Sequence, residues 1–416
     1  MPNPTGSSLS QKSIRSEKSR QSAPQVSKSD HQALAAGDHA FALELYHALG
    51  QASSQNNFFY SPYSISLALA MTYAGANGET ARQMAETLHF NLPPARLHPA
   101  FNALDQEIAT RKDNPGQGSD GKGFRLNVAN DIWGQQDYHF LPDFLDLLAN
   151  NYGAGLRPVD FKSNPEAARK AINDNIARKT EQRIKDLIPA GALDVQTRLV
   201  LTNAIYFNAA WQYRFSPSLT ENKPFTRQDG SQVTVPFMSL DSFELLSYKA
   251  GADYQAIALP YEGGILSMLI LIPEAGKFSA FETGLDAARL DHILQSMELA
   301  STRVVMPKFK NESEFSLKQS LSELGMKDAF IPFQADFSGM DGNKANLYIS
   351  DAIHKSFVKV DENGTEAAAA TGIVIKTVSA PSETVTLTID RPFIFLIRDE
   401  PTNTILFAGR VLDPSK

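Results

Sequence analysis

The 416-residue chain contains no cysteine. That excludes disulfides, thiolate metal sites and a cysteine nucleophile. It leaves the compartment open, because an oxidising compartment permits disulfides without requiring them. A basic excess is missing too. The chain carries 39 Lys+Arg against 46 Asp+Glu, a formal charge of -7. Nucleic acid as main partner would call for a basic face. Long apolar runs are also absent. The longest aliphatic stretch, residues 265–272, falls far short of the roughly 18 residues needed to span a bilayer. The N-terminus lacks the apolar core of a secretory signal. What remains is a globular composition, 42% hydrophobic and 20% charged, unlike that of a disordered chain. At roughly 150 residues per domain, the length suggests two or three domains or one large mixed-sheet domain.

Residues 1–31 are rich in Ser, Gln, Lys and Arg, with little to bury, and read as a disordered tail. Order is predicted from Asp38, an N-cap followed by Phe41, Leu45 and Leu49 at helical spacing. A second helix starts at Ser61 as cap, with Pro62 in the first helical position, and stops at Gly75. Residues 171–187 read as an amphipathic helix. Residues 199–207, 265–272, 384–389, 393–397 and 405–407 read as strands, several buried on both faces. Helices and strands mix without a βαβ rhythm, and no linker follows residue 31. The fold class is therefore α+β.

Several motifs suggest chemistry that their surroundings deny. Gly116, Gly118 and Gly121 have dinucleotide-loop spacing, and residues 116–122 approach a phosphate loop. Gly123 stands where Ser or Thr would hold magnesium, and the polar run 110–115 replaces the buried strand both motifs need. A surface loop is the better reading. No pair among the eight histidines has zinc-motif spacing, and no GxSxG elbow occurs, so no metal site is expected. Asp336, Asp341 and Asn343 lack the alternating oxygen ligands of a calcium loop and read as a turn.

Residues 361–371 resist an ordinary reading. They run Asp-Glu-Asn-Gly-Thr-Glu-Ala-Ala-Ala-Ala-Thr. As a helix the alanine run is too short to stand alone. As a strand, Thr365, Ala367, Ala369 and Thr371 share one face, all small, while Glu366 points the other way. No proline lies between Gly364 and Val378, so every backbone N–H is free to join a ladder. Such a segment can slide between two strands without a bulky side chain in its path.

Residues Asn57-Phe58-Phe59-Tyr60-Ser61-Pro62 and Gly75-Ala76-Asn77-Gly78-Glu79-Thr80 resemble the early helix signatures of the serpins. Thr202-Asn203-Ala204-Ile205-Tyr206-Phe207 with Trp211 and Phe215 resembles their central strand. Met306-Pro307-Lys308-Phe309, the hinge, Arg391-Pro392-Phe393 and Phe407-Ala408-Gly409-Arg410 follow in family order. The resemblance implies a single serpin domain over residues 32–416, built from three β-sheets and about nine helices, with an exposed reactive-centre loop at about 362–383.

It also implies an inhibitor and not an enzyme. In this family the target protease forms an acyl-enzyme at a bait bond, and the cut loop then inserts as a new strand in the largest sheet. The partner is a serine endopeptidase held covalently, with papain-like cysteine proteases as a second target class. The inhibitor is expected to be a monomer. The hinge is Glu362, Gly364, Thr365, Glu366, Ala367, Ala368, Ala369, Ala370 and Thr371. Inhibitory members place the bait bond after the fourteenth residue beyond the hinge glycine, which gives Val378–Ser379. A β-branched bait suits an elastase-like or subtilisin-like pocket. A bond at Lys376–Thr377 would instead suit a trypsin-like pocket and is the alternative; the stretch after the bait is about three residues longer than usual, which leaves the register open.

Ser61, Ser64, Asn203 and His354 match the family's hydrogen-bonded shutter. Trp211 matches the breach, where the loop first enters the sheet, although a core role would suit it as well. Gln182 stands where glycine is common and is read as neutral. No dense basic run suggests a glycosaminoglycan cofactor, so none is expected. A non-inhibitory serpin is the alternative function, but such relatives often carry bulky, charged or proline residues in the hinge, and the face formed here by Thr365, Ala367, Ala369 and Thr371 has none. The family implies an extracellular or cell-surface location. The missing signal makes a cytoplasmic one the alternative.

Overall fold

The computed structural model describes residues 14, 16–113, 118–119, 123–344, 346–365 and 384–416. The chain opens with α1 (Lys28–Ala52), β1 (Phe58–Tyr60), α2 (Pro62–Tyr73), α3 (Gly78–Thr87) and α4 (Pro94–Ala109). Next come β2 (Arg125–Gln135), α5 (Pro142–Tyr152), β3 (Leu156–Val159), α6 (Pro165–Lys179) and β4 (Leu199–Ala210). A run of strands follows: β5 (Ser216–Thr226), β6 (Gln232–Ser239), β7 (Glu244–Ala250), β8 (Tyr254–Pro260) and β9 (Leu266–Pro273). Then come α7 (Phe278–Thr283), α8 (Ala287–Gln295), β10 (Glu298–Pro307), β11 (Phe309–Ser316), α9 (Leu317–Glu323) and α10 (Ser338–Asp341). The last strands are β12 (Ala352–Asp361), β13 (Gly364–Thr365), β14 (Thr384–Thr388), β15 (Phe393–Asp399) and β16 (Thr404–Val411). The architecture is α+β, as the sequence predicts.

One sheet runs in the order β11-β12-β13-β4-β2-β3. The other runs β1-β16-β15-β9-β8-β7-β10-β6-β5, with β14 also on β10. Two of the three expected sheets are thus continuous. β10 joins them, pairing with β7 over Glu298–Thr302 and with β6 over Val305–Pro307. β4, β9, β15 and β16 are buried along their whole length, which explains their predominantly apolar sequences. Ser61 caps α2 by accepting from the Ser64 N–H, and Pro62 opens the helix. α6 lies across the first sheet, its Ile172 and Ile176 packed with Ala129, Trp133, Val200 and Ala204.

Three local expectations fail for physical reasons. Asp38 is not an N-cap. It lies inside α1, which starts ten residues earlier under a Ser27 cap. Its buried carboxylate accepts the Ile405 N–H at 2.9 Å, and burial pushes its pKa up to about 7. The tail is shorter than read. Ile14, Ser16, Lys18, Arg20 and Gln21 lie against α4, α5 and β3, through backbone bonds at Ile14 and Gln21 and polar side-chain partners at the others. Residues 1–13 lie outside the described residues. The helix read at 171–187 ends at Lys179, and beyond it Glu181, Gln182 and Asp186 all take positive φ.

Gln182, at φ +65°, is therefore not neutral. A left-handed conformation costs a side-chain-bearing residue about 1–2 kcal/mol, a strain glycine escapes. Gln182→Gly is expected to raise stability in urea unfolding by about 0.5–1 kcal/mol. An unchanged or lower midpoint would show that the turn is not strained.

Candidate functional site: a hinge already seated in the sheet

After β12 the chain reverses at Glu362 and Asn363. It returns as β13 between β12 and β4. Thr365 pairs with Val360 on one side and Ala209 on the other; Gly364 pairs with Asp361 and Ala210. Further down, β12 pairs directly with β4, from Ala352/Leu201 to Ser356/Ile205. The sheet is thus parted at one end by a two-residue wedge and closed below it. Gly364 is required there. It has φ +153°, and a Cβ on it would lie 2.1 Å from the Ala209 carbonyl oxygen.

The wedge is held on every side. Thr365 is 1% exposed. Its hydroxyl meets the Tyr261 hydroxyl at 2.7 Å, and its carbonyl accepts from Ser119 Oγ at 3.1 Å. The Ser119 N–H donates to Asn208 Oδ1 at 2.8 Å. Trp211 stacks on Tyr261, with ring centroids 4.6 Å apart, and donates from Nε1 to the Asp361 carbonyl at 2.9 Å. Its backbone N–H donates to the Asn363 carbonyl at 2.9 Å. Trp211 is therefore part of the hinge seat and not plain core. Glu362 accepts from Thr220 Oγ1 at 2.7 Å and pairs with Lys308 Nζ at 2.9 Å. Burial pushes its carboxyl up, but the Lys308 and Thr220 hydrogen bonds outweigh it and hold the pKa below the usual range.

Glu362→Gln is expected to loosen this seat. The surviving Lys308 is partly solvated, so the stability loss should be about 1 kcal/mol. Trp211 reports it, since the only other tryptophan, Trp133, lies under α6. A Trp211 emission unchanged from the parent protein would exclude a role for the ion pair in seating the turn.

The four predicted shutter residues come together below the wedge. His354 Nδ1 donates to Asn203 Oδ1 at 2.5 Å, and its Nε2 accepts the Ser61 N–H at 3.2 Å. Asn203 Nδ2 donates to Ser64 Oγ at 2.7 Å. Ser61 Oγ donates to the Leu406 carbonyl at 2.6 Å, and Ser64 Oγ donates to Asn130 Oδ1 at 3.0 Å. His354 is fully buried, and desolvation lowers its pKa to about 3. It stays neutral because a proton on Nε2 would face the Ser61 N–H. No serine hydroxyl donates to this imidazole, so the Ser–His nucleophile geometry is absent from the cluster.

Glu366, Ala367, Ala368, Ala369, Ala370, Thr371, Lys376, Thr377, Val378 and Ser379 lie outside the described residues. The sequence reading missed Asn130, Ser119, Tyr261, Thr220 and Lys308. Only Lys308 carried a signal, inside Met306-Pro307-Lys308-Phe309. Ser119 belongs to the glycine-rich segment read as a surface loop, yet it is buried on the hinge. Asp336, Asp341 and Asn343 form turns, with Asp341 Oδ1 accepting the Asn343 N–H at 2.8 Å.

The sheet is thus parted at one end by Gly364 and Thr365, above a buried, neutral polar cluster. The chain matches the family described as Serpin (serine protease inhibitor) over residues 36–414. Leukocyte elastase inhibitor A of Mus musculus is 39% identical over 391 residues, covering 92% of this chain and 99% of that protein. An uncharacterized serpin-like protein of Thermococcus kodakarensis is 40% identical over 378 residues, covering 90% of this chain and 84% of that one. Uncleaved ovalbumin superposes with a TM-score of 0.79 at 26% identity, covering 92% of this chain and all of that one. The chain belongs to the serpin family of protease inhibitors.

Proposed function

We propose that the protein is a suicide-substrate inhibitor of a serine endopeptidase of elastase-like or subtilisin-like specificity, cut at Val378–Ser379. The observation that carries this reading is the wedge. Gly364 and Thr365 occupy the first positions of a new central strand, and Thr365 faces inward onto Tyr261. Continued in the same register, Ala367, Ala369 and Thr371 face inward after it, all small. Attack of the protease serine on the Val378 carbonyl releases the Ser379 amine and leaves an acyl-enzyme. The freed loop zips downward between β12 and β4, gaining ladder hydrogen bonds, and carries the protease with it. The similarity to proteins named leukocyte elastase inhibitor supports an elastase-type target. A cut at Lys376–Thr377 is the second reading, because a basic residue there would suit a trypsin-like pocket with a buried carboxylate.

Incubation with an elastase, a subtilisin and trypsin tests the proposal. An adduct that survives boiling in detergent is expected with the first class, together with a released peptide beginning at Ser379. Complete cleavage without adduct by all three would refute the inhibitor reading. A peptide beginning at Thr377 would move the bait to Lys376.

A further inference from the structure

Opening the first sheet for a full strand must separate β12 from β4 by about 4.8 Å, one strand spacing. One half of that sheet is pinned. β11 and β12 are tied to β1, with the Phe59 N–H donating to Ser313 Oγ at 3.0 Å and Ser356 Oγ donating to the Phe59 carbonyl at 2.5 Å. β1 in turn pairs with β16 in the second sheet. β4 has ties of its own, the Glu262 N–H on the Ala210 carbonyl at 2.8 Å and Asn203 on Ser64 at 2.7 Å, but among the described residues β2 and β3 have no backbone bond to the second sheet, and β4-β2-β3 is the half taken to move.

The N-terminal segment crosses from that moving half to the fixed body. Ile14 exchanges both backbone hydrogen bonds with Leu156 of β3, at 3.0 and 3.1 Å. Lys18 pairs with Asp146 of α5 at 2.6 Å, and the Gln21 N–H donates to the Asn150 carbonyl at 2.9 Å. The Arg20 stem lies over Gly153, where an added Cβ would meet its Cδ at 3.1 Å. The Arg20 guanidinium turns the other way, onto α4, with 2.7 Å to Asn102 Oδ1 and 2.6 Å to Asp105. α4 is fixed. Asp105 accepts from Tyr63 of α2 at 2.9 Å, and Arg111 just beyond α4 forms a buried ion pair with Asp399 of β15 at 2.6 Å.

We infer that Ile14 and residues 16–21 are a strap that resists displacement of β4-β2-β3 and so sets how fast the sheet opens. Arg20 is its central positioning residue. The strap acts on the reaction only if the loop inserts as proposed above. Apart from Ile14, which packs against the core, its contacts are polar and partly solvated, so they are weak enough to yield during trapping, yet the segment between β3 and α4 must strain when β3 and α5 shift against α4. A segment that merely ordered the terminus would need no bonds on both sides of that boundary.

The test uses the full chain carrying Lys18→Ala with Arg20→Ala, and separately Arg20→Lys. Spontaneous conversion to the inserted form below the unfolding temperature is followed by loss of inhibition without unfolding. The stoichiometry of inhibition against an elastase is measured in parallel. The double variant is expected to convert about three- to tenfold faster and to waste fewer molecules as cleaved substrate; Arg20→Lys should stay near the parent rate. A conversion rate unchanged or slower in the double variant overturns the strap. So does an equal fall in the unfolding midpoints of native and loop-cleaved forms with unaltered stoichiometry, which is what a purely structural contact would produce. Failure of the parent protein to gain stability on loop cleavage would instead refute loop insertion itself.

Discussion

Thr365→Arg is expected to turn the inhibitor into a substrate. Thr365 is the first inward-facing residue of the inserting strand, 1% exposed, between Ala209 and Val360 and against Tyr261. An arginine there must bury a charge with no anion among the residues facing it, which costs several kcal/mol, or leave the sheet altogether. Either way the strand loses its starting register. Each ~1.4 kcal/mol added to the insertion barrier slows it about tenfold, while hydrolysis of the acyl-enzyme proceeds unhindered. The adduct with an elastase should fall by about tenfold or more, with a matching rise in cleaved monomer. A variant that still forms the adduct at parent yield would show that the small inward face is not what permits insertion.

His354→Ala should produce the largest loss of native stability. It strands the Ser61 N–H and Asn203 Oδ1 in a place without solvent and leaves a cavity, a loss of about 3–5 kcal/mol. The pH dependence has a definite sign. Burial holds the folded pKa at about 3, against 6.5 for a free imidazole. Only the unfolded chain takes up the proton between those values. The contribution of neutral His354 is therefore complete above pH 6.5 and is lost as pH falls toward 3, at about 1.4 kcal/mol per unit. The difference in urea stability between parent and variant should shrink between pH 7.5 and pH 5. His98, lowered to about 4 by burial, and Asp38, raised to about 7, titrate in both proteins and cancel in that difference. A difference independent of pH would mean that His354 takes up its proton as readily in the fold as in the unfolded chain, and a difference that grows toward pH 5 would mean that the fold holds it charged.

Local chemistry was legible in the sequence, and long-range polar pairing was not. Ser61 and Pro62 announce α2 because a cap and a first-turn proline act within one turn. The small face of the hinge is legible because strand alternation is local too. The shutter residues were found through family motifs, but Asn130 carries no such mark. Ser119 was misread because nothing near it in sequence indicates that its hydroxyl meets the Thr365 carbonyl, 246 positions away. Asp38 has a capping side chain, yet the helix runs through it because Leu34 and Phe41 both reach the core. The tail reads as disordered because it has few apolar residues. Most of its anchors are charges and amides, which a burial argument does not count, with Ile14 and Val26 packed against the core beside them.

If the loop inserts as proposed, the seated hinge accounts for how the uncut fold stays poised without a disulfide. Residues 364–365 claim the top of the gap, and the direct β12–β4 ladder with α6 packed across it closes the rest. Going further requires breaking that ladder and parting the apolar contacts under α6, which is a kinetic barrier rather than an equilibrium one.

The thermal unfolding midpoint, measured before and after a single cut in the loop by a protease that does not stay bound, tests loop insertion most directly. A new central strand adds on the order of ten ladder hydrogen bonds at about 1 kcal/mol each. The midpoint should therefore rise by about 10 °C or more. A cleaved protein that melts at or below the temperature of the intact one would contradict insertion between β12 and β4.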